Sequence, residues 1–180
     1  ARRKKRRRRA ALSWARALIL ALLLGLLSAC EPEAAENNSR PEQGELALPL
    51  EGDAQERLDV VLWQQEGFSL YVPARGWYQE KDGTWRPEKQ EDVGLFVHQS
   101  QECSSQAMWK ELGECFPNYG FLPPEDGVCM GYDAVGGMTM RVRLVEGESG
   151  AWAVCTCYPD DLEESGQTQL ALLADTFQAR

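Results

Sequence analysis

The chain has 180 residues, a formal net charge of −9 at pH 7 and a pI of about 4.7. Nine of its 19 Lys and Arg residues lie before residue 30, where there is no Asp or Glu. Residues 30–180 therefore combine ten basic with 28 acidic residues and carry a net charge of −18. Such an acidic surface argues against nucleic acid or anionic lipid as a partner, although not against a cationic one.

The first segment is built like a secretory leader. Residues 2–9 are all basic, and an apolar block from Ala17 to Leu27 follows, which only Gly25 interrupts. A charged start, a short apolar stretch and a small-residue exit predict a signal peptide over residues 1–29. The apolar block has about half of the ~20 residues that a transmembrane helix needs, so a permanent span is the weaker interpretation.

The exit of the leader is Leu27-Ser28-Ala29-Cys30. This sequence resembles the lipobox of bacterial lipoproteins: a branched apolar residue, two small residues and a cysteine. The resemblance implies cleavage after Ala29 and a diacylglyceryl group on the Cys30 thiol. It also implies a lipid-anchored protein on the extracytoplasmic side of a cell membrane, because two or three acyl chains hold a protein there durably. The alternative is an ordinary secreted protein.

The next segment, residues 30–57, is rich in Glu, Pro, Ala, Asn and Gly and has few apolar residues. This composition predicts a flexible acidic tether behind the lipidated cysteine. Within it, Leu46, Leu48 and Leu50 alternate with other residues, which permits one short docked strand. Residues 58–180 are enough for one hydrophobic core and too few for two domains.

The folded part begins with three predicted β elements. Two β-rich runs around Glu66-Gly67 predict a hairpin that ends at Pro73. A second, shorter hairpin is expected around Asp82-Gly83. Val93 to His98 reads as a further strand.

The period then changes to that of a helix. Apolar residues at Ala107, Met108, Leu112 and Cys115 follow a Ser-rich start and predict a short amphipathic helix. Three more strands are predicted, the middle one with residues 138, 140, 142 and 144 on one face and residues 139, 141 and 143 on the other. A terminal helix follows residues 159–161. This order predicts an α+β domain with a single antiparallel sheet, a middle helix and a C-terminal helix packed on it.

The predicted arrangement resembles the small PsbP-like domains found in a photosystem extrinsic subunit and in several bacterial lipoproteins. The resemblance is carried by "GFSLYVPARGW" at residues 67–77, the middle helix, two long hairpin strands and "LALLADTF" at residues 170–177. It implies a fold and no shared catalytic residues, since members of the family look like binding or assembly accessories.

Few residues point to chemistry. His98 is the single histidine, so a His-rich metal site is excluded and we expect a structural or surface role for it. Five cysteines remain besides Cys30, and cross-element disulfides from Cys129 to Cys155 or Cys157 are the plausible ones. Cys155 and Cys157 share a strand face and are too far apart to pair with each other; a thiol-redox or metal-binding role for them is the alternative.

No catalytic residue, cofactor or metal is predicted, and we expect a non-enzymatic binding or accessory module. Aromatic residues at Tyr119 and Phe121 are candidates for the rim of a ligand site. The expected partners are the membrane, through Cys30, and an envelope protein or a cationic ligand. Binding of a cationic peptide or small ligand through acidic loops is a further alternative.

Overall fold

The computed structural model describes residues 40–49, 55–100, 104–147 and 150–180. Cys30, Cys103 and the predicted leader over residues 1–29 lie outside these ranges. Pro41–Arg180 form one compact unit. Its strands are β1 (Gln43–Pro49), β2 (Gln55–Gln65), β3 (Phe68–Pro73), β4 (Trp77–Gln79), β5 (Trp85–Pro87), β6 (Gly94–Ser100), β7 (Gly120–Phe121), β8 (Val128–Asp133), β9 (Met138–Gly147), β10 (Gly150–Pro159) and β11 (Gln178–Ala179), and its helices are α1 (Ser105–Cys115) and α2 (Glu164–Asp175).

The strands form two antiparallel sheets, which corrects the prediction of a single sheet. Sheet A has the order β1-β2-β3-β11, and sheet B has the order β4-β5-β6-β10-β9-β8-β7. Both predicted hairpins are confirmed, since β2 pairs with β3 and β4 pairs with β5. The fold is therefore α+β, with mostly strands and two helices among the described residues.

The sheets stack because the β2–β3 turn lies against the core of sheet B. Gly67 adopts a φ of 85° in this turn, a region that glycine enters without a steric penalty. A β-carbon on Gly67 would lie 2.9 Å from the Trp152 ring of β10. The next residue, Phe68, places its ring 5.3 Å from Trp152 and 5.4 Å from Phe177. This contact holds sheet A across one face of sheet B instead of beside its edge.

The predicted tether ends earlier than residue 57. Residues 43–49 are a strand, and β1 pairs with β2 from Gln43↔Val61 to Pro49↔Gln55. The alternation of Leu46 and Leu48 turns both side chains inward, and Leu48 is buried. The expected docked strand therefore exists, and it moves the start of the folded part upstream of residue 58.

Helix α1 begins as its serine-rich start predicts. Ser104 is the N-cap, and its hydroxyl accepts a hydrogen bond from the Ala107 N–H at 3.2 Å. The first turn has no acidic residue, but the Glu146 carboxylate of β9 accepts from both the Ser105 N–H at 3.0 Å and the Ser105 hydroxyl at 2.7 Å. A carboxylate at this end stabilises the helix dipole.

Strand β9 also stabilises α2, in this case with a positive charge at the C-terminal end of the helix. Nη1 of Arg143 donates to the carbonyls of Ala174 and Asp175, each at 3.2 Å. These carbonyls belong to the last turn of α2, where a positive charge is favourable. The predicted two-faced pattern of β9 is therefore correct, with its arginine face toward α2 and its Met140 and Val142 face toward α1.

The core has two main parts, one on each side of sheet B. Trp152, Val154 and Leu95 pack with sheet A and α2 on one face. Cys155 and Val142 pack with α1 on the other. The molecule is thus layered as α1, sheet B, then sheet A together with α2.

Candidate functional site

A cleft of about 740 Å³ lies along the outer edge of β6. Strand β6 pairs with β10 over its full length but with β5 only at Trp85↔Leu95. Residues 82–84, which precede β5 in the chain, do not pair with β6 and line the start of the cleft. The volume falls within the range of roughly 300–1,000 Å³ that is common for ligand sites.

The first wall is aromatic and continues from the core around Trp152. Trp63 of β2 lies edge-on to Phe68 at 5.1 Å and to Trp85 at 6.0 Å. Val97 of β6 packs against the same cluster. Sequence reasoning missed this wall, since residues 63 and 68 read only as parts of a hairpin.

The second wall lies on the other face of sheet B. The ring of Phe96 is 5.7 Å from that of Phe116, which follows α1, and Phe116 is 6.2 Å from Tyr119. Burial raises the pKa of the Tyr119 hydroxyl. The two β6 residues Phe96 and Val97 thus direct their side chains to opposite walls, as alternate residues of a strand do.

The two predicted rim residues have different positions. Tyr119 lines the cleft. Phe121 stacks on Tyr119 at 6.0 Å and meets Trp109 at 5.4 Å. Its ring covers Gly131, where a β-carbon would lie 2.5 Å away. Phe121 therefore supports the rim from behind and does not line the cleft.

The charged groups of the cleft are predominantly acidic. Nε of Arg86 donates to the Glu80 carboxylate at 2.8 Å, and this bond raises the pKa of the arginine. Two exposed carboxylates, Glu66 and Asp82, stand at the mouth. The backbone N–H of Thr84 donates to Asp82 at 2.9 Å and lowers the pKa of that carboxyl. The cleft keeps an excess of negative charge, because Glu80 neutralises its arginine.

His98 lies in the cleft and belongs to a hydrogen-bonded group. Its Nε2 is 3.2 Å from Oε2 of Glu111, and the Ser100 hydroxyl donates to Oε1 of the same carboxylate at 2.6 Å. Both bonds lower the pKa of Glu111, and the bond from Ser100 has the larger effect. The carboxylate stands between the hydroxyl and the imidazole, whereas a nucleophilic serine needs the imidazole beside it. The group is suited to holding α1 on β6.

The predicted disulfides do not form. Cys129 of β8 pairs with Val142 of β9, and Val142 pairs with Cys155 of β10. An intervening strand puts the two cysteine backbones about 10 Å apart, beyond the reach of a disulfide. Cys157 lies two residues farther along β10. Cys129, Cys155 and Cys157 are free thiols, and so is Cys115.

Burial shapes the chemistry of these thiols. It raises the pKa of Cys129 to about 12 and that of Cys155 well above its ordinary value. Cys157 lines the cleft and is partly exposed; burial raises its pKa, while the charge of Arg86 opposes the rise. Thiol exchange requires the thiolate, so this arrangement opposes the thiol-redox alternative.

A second, acidic cleft of about 570 Å³ is lined by residues 89–93 and by the start of α2. The segment before α2 contributes Asp161 and Glu163 to its lining, and residues 89–92 contribute Lys89, Glu91 and Asp92. Among the described residues, no group of three or more His, Cys, Asp or Glu side chains is arranged to hold a metal ion. No helix within the same residues has the length and apolar character to cross a membrane.

Comparison with known proteins finds a likeness among solved structures. No family model matches the chain, and no curated protein does. Among solved structures, the chain is similar to the solution structure of cyanobacterial PsbP (CyanoP) from Synechocystis sp. PCC 6803. The two are 11% identical with a TM-score of 0.43, over 67% of this chain and 92% of that one. This neighbour is PsbP-like, as the resemblance in the sequence implies, and the function proposed below rests on the residues of this chain alone.

Proposed function

We propose that this chain is a non-enzymatic binding module that a lipid on Cys30 holds on the extracytoplasmic side of a membrane, with its ligand site in the aromatic cleft. One observation carries the binding role: two aromatic walls border one open strand edge. Trp63 and Phe68 form the first wall, and Phe96, Phe116 and Tyr119 form the second. Apolar walls with a few polar groups are the usual construction of a ligand site. The lipobox-like exit at residues 27–30 supports the anchor.

The groups in the cleft favour binding over catalysis. Its histidine is engaged by the Glu111 carboxylate, its arginine by Glu80, and the thiol of Cys157 has a raised pKa. Catalysis generally needs an activated nucleophile, acid or base. An accessory that captures a partner near the membrane needs none of these.

The anchor is tested by lipid labelling. The chain is expressed with its leader in a bacterium that is fed an alkyne fatty acid, and wild type is compared with Cys30→Ser and with Cys115→Ser, which removes an exposed thiol. We expect label and membrane association in wild type and Cys115→Ser and neither in Cys30→Ser. An unlabelled wild-type protein that is free in the medium would refute the anchor.

The site is tested by hydrogen-exchange mass spectrometry of the full chain with small aromatic molecules such as indole. Binding is expected to slow exchange at residues 96–99 and 116–121. Tyr119→Ala should weaken binding, whereas Tyr132→Ala, which removes an exposed tyrosine outside the cleft, should leave it unchanged. Equal effects of the two substitutions would place the site elsewhere.

A further inference from the structure

The floor of the cleft is an exposed strand edge. Among the described residues, sheet B continues beyond β6 through the short β5, which pairs with β6 at Trp85↔Leu95. Within the part of the chain that the structure describes, no strand pairs with the outer edge over residues 96–99. This edge is about 13 Å long at the usual rise per residue of a strand.

The edge lacks the charged and proline side chains that often block pairing with another chain. Soluble proteins protect edge strands with lysine, proline, bulges or inward-pointing charges. Phe96, Val97, His98 and Gln99 include neither a proline nor a lysine nor an acid. Three of these four side chains are half-buried, so the edge lies recessed between the cleft walls.

The two walls match the alternation of an added strand. Successive side chains of a strand point to opposite faces of the sheet. Side chains of the added strand that point to one face would contact Trp63 and Val97. Those that point to the other face would contact Phe96, Phe116 and Tyr119. Strand addition uses main-chain hydrogen bonds for affinity and such alternate pockets for specificity.

The charges indicate the character of the added segment. Glu66 and Asp82 are exposed at the mouth, Arg86 is neutralised by Glu80, and His98 contacts the Glu111 carboxylate. Residues 30–180 carry −18 in total. Complementary charge favours and accelerates encounter with a basic partner.

From these observations we infer that an extended, basic segment of a partner polypeptide binds as an additional strand along β6, in line with β5. This inference rests on the proposed function and deepens it, since it names the chemical class of the ligand. The segment presents apolar side chains to the two walls and basic side chains to Glu66 and Asp82. Its main chain pairs with residues 96–99.

The first test uses blocked octapeptides of the sequence Lys-Lys-Val-Phe-Val-Phe-Lys-Lys with the full chain, in which four successive apolar residues supply side chains to both walls and lysines flank them. Two derivatives are N-methylated at three alternate amides each, positions 2, 4 and 6 or positions 3, 5 and 7. In an added strand only alternate amides face β6, so one derivative should bind at least about tenfold more weakly and the other nearly as well as the parent. The parent peptide should slow exchange at residues 96–99.

The second test concerns charge. Glu66→Lys should weaken the parent peptide about threefold at low salt, whereas Glu88→Lys, the same change at an exposed site outside the cleft, should have little effect. An octapeptide with Glu in place of Lys should bind more weakly than the parent. Equal affinity for the acidic and basic peptides would overturn the basic character of the ligand.

The outcomes separate this inference from the proposed function. If both methylated peptides bind like the parent, or if no peptide binds while indole still protects the cleft, strand addition is wrong and the cleft remains a ligand site. If neither peptide nor indole binds, both proposals fail. If the protein dimerises on concentration and residues 96–99 become protected without peptide, the occupant is a second copy and the inferred partner is wrong.

Discussion

Cys155 and Cys157 are two residues apart on the same face of β10, yet their surroundings differ. Cys155 is 0% exposed beneath α1, whereas Cys157 lies at the cleft. Gly94 leaves room there for two neighbouring groups. A β-carbon on Gly94 would lie 2.9 Å from Sγ of Cys157 and 3.3 Å from Nη1 of Arg86. The shared face follows from the period of a strand and was predictable. Cys155 is fully buried and Cys157 only partly, and this difference depends on tertiary packing that spacing in the sequence does not show.

Thiol labelling tests this difference. With N-ethylmaleimide at neutral pH, we expect Cys115 to react before Cys129 and Cys155, because its side chain is exposed. Cys129 and Cys155 should react only after unfolding, since burial raises the pKa of both thiols and blocks access. Peptide mapping of a time course gives the order of modification. Labelling of Cys155 in the native protein at the rate of Cys115 would contradict the burial of Cys155.

Among the helices and strands, the sequence predicts those that depend on residues close together in the chain. The hairpins follow from glycine at their turns, and α1 follows from its apolar spacing and its Ser104 cap. The partners of these elements could not be predicted in the same way. Tyr119 and Phe121 look equivalent in the sequence, but Phe121 is trapped over Gly131 and only Tyr119 reaches the cleft.

A pair of glycine substitutions tests the packing of these elements. Gly113 is exposed in α1 with no neighbour within 4 Å of an added β-carbon, so Gly113→Ala should raise the free energy of unfolding by about 0.5–1 kcal/mol. Gly131→Ala would force the Phe121 ring to move and should lower it by roughly 1–3 kcal/mol. Urea unfolding measures both. Equal effects of the two changes would contradict the contact between Phe121 and Gly131.

For the whole molecule, the stacked sheets were the main feature that the sequence did not predict. Alternating apolar residues in β2 and β3 show that one face is buried, but the same pattern fits a strand beside a sheet or above it. The stacked arrangement is visible only in packing between residues far apart in the chain, such as that of Phe68 and Leu70 of sheet A with Trp152 of sheet B. The aromatic cleft was missed for the same reason, because its walls come from both sheets and from the loop after α1.

A further whole-molecule property is the dependence of stability on pH. Hydrogen bonds from Ser105 lower the pKa of Glu146 below its ordinary value of 4.5. The unfolded chain therefore binds this proton more readily, so the stabilisation is present above pH 4.5 and is lost as the pH falls through the folded pKa. Ser105→Ala should destabilise the protein most above about pH 5, and the difference from wild type should shrink toward pH 3.

The control for this experiment is Ser104→Ala. The Ser104 hydroxyl caps the same helix through the Ala107 N–H and does not involve a carboxylate in that bond. Its removal should cost roughly 1 kcal/mol at every pH in this range. Unfolding curves of the three proteins at several pH values supply the comparison. A Ser105→Ala effect that stays constant with pH would contradict the role of Glu146.

The contact between Trp63 and Trp85 also gives the cleft an optical property. Their rings are 6.0 Å apart and inclined by 67°, an edge-to-face arrangement typical of aromatic pairs. Two indoles at this separation and angle couple their electronic transitions, which produces paired bands of opposite sign in circular dichroism. Because Trp63 lines the cleft and Trp85 begins the strand that stops short of it, a ligand that shifts either ring changes these bands. The protein thus contains its own chromophore pair for following occupancy, without an added dye.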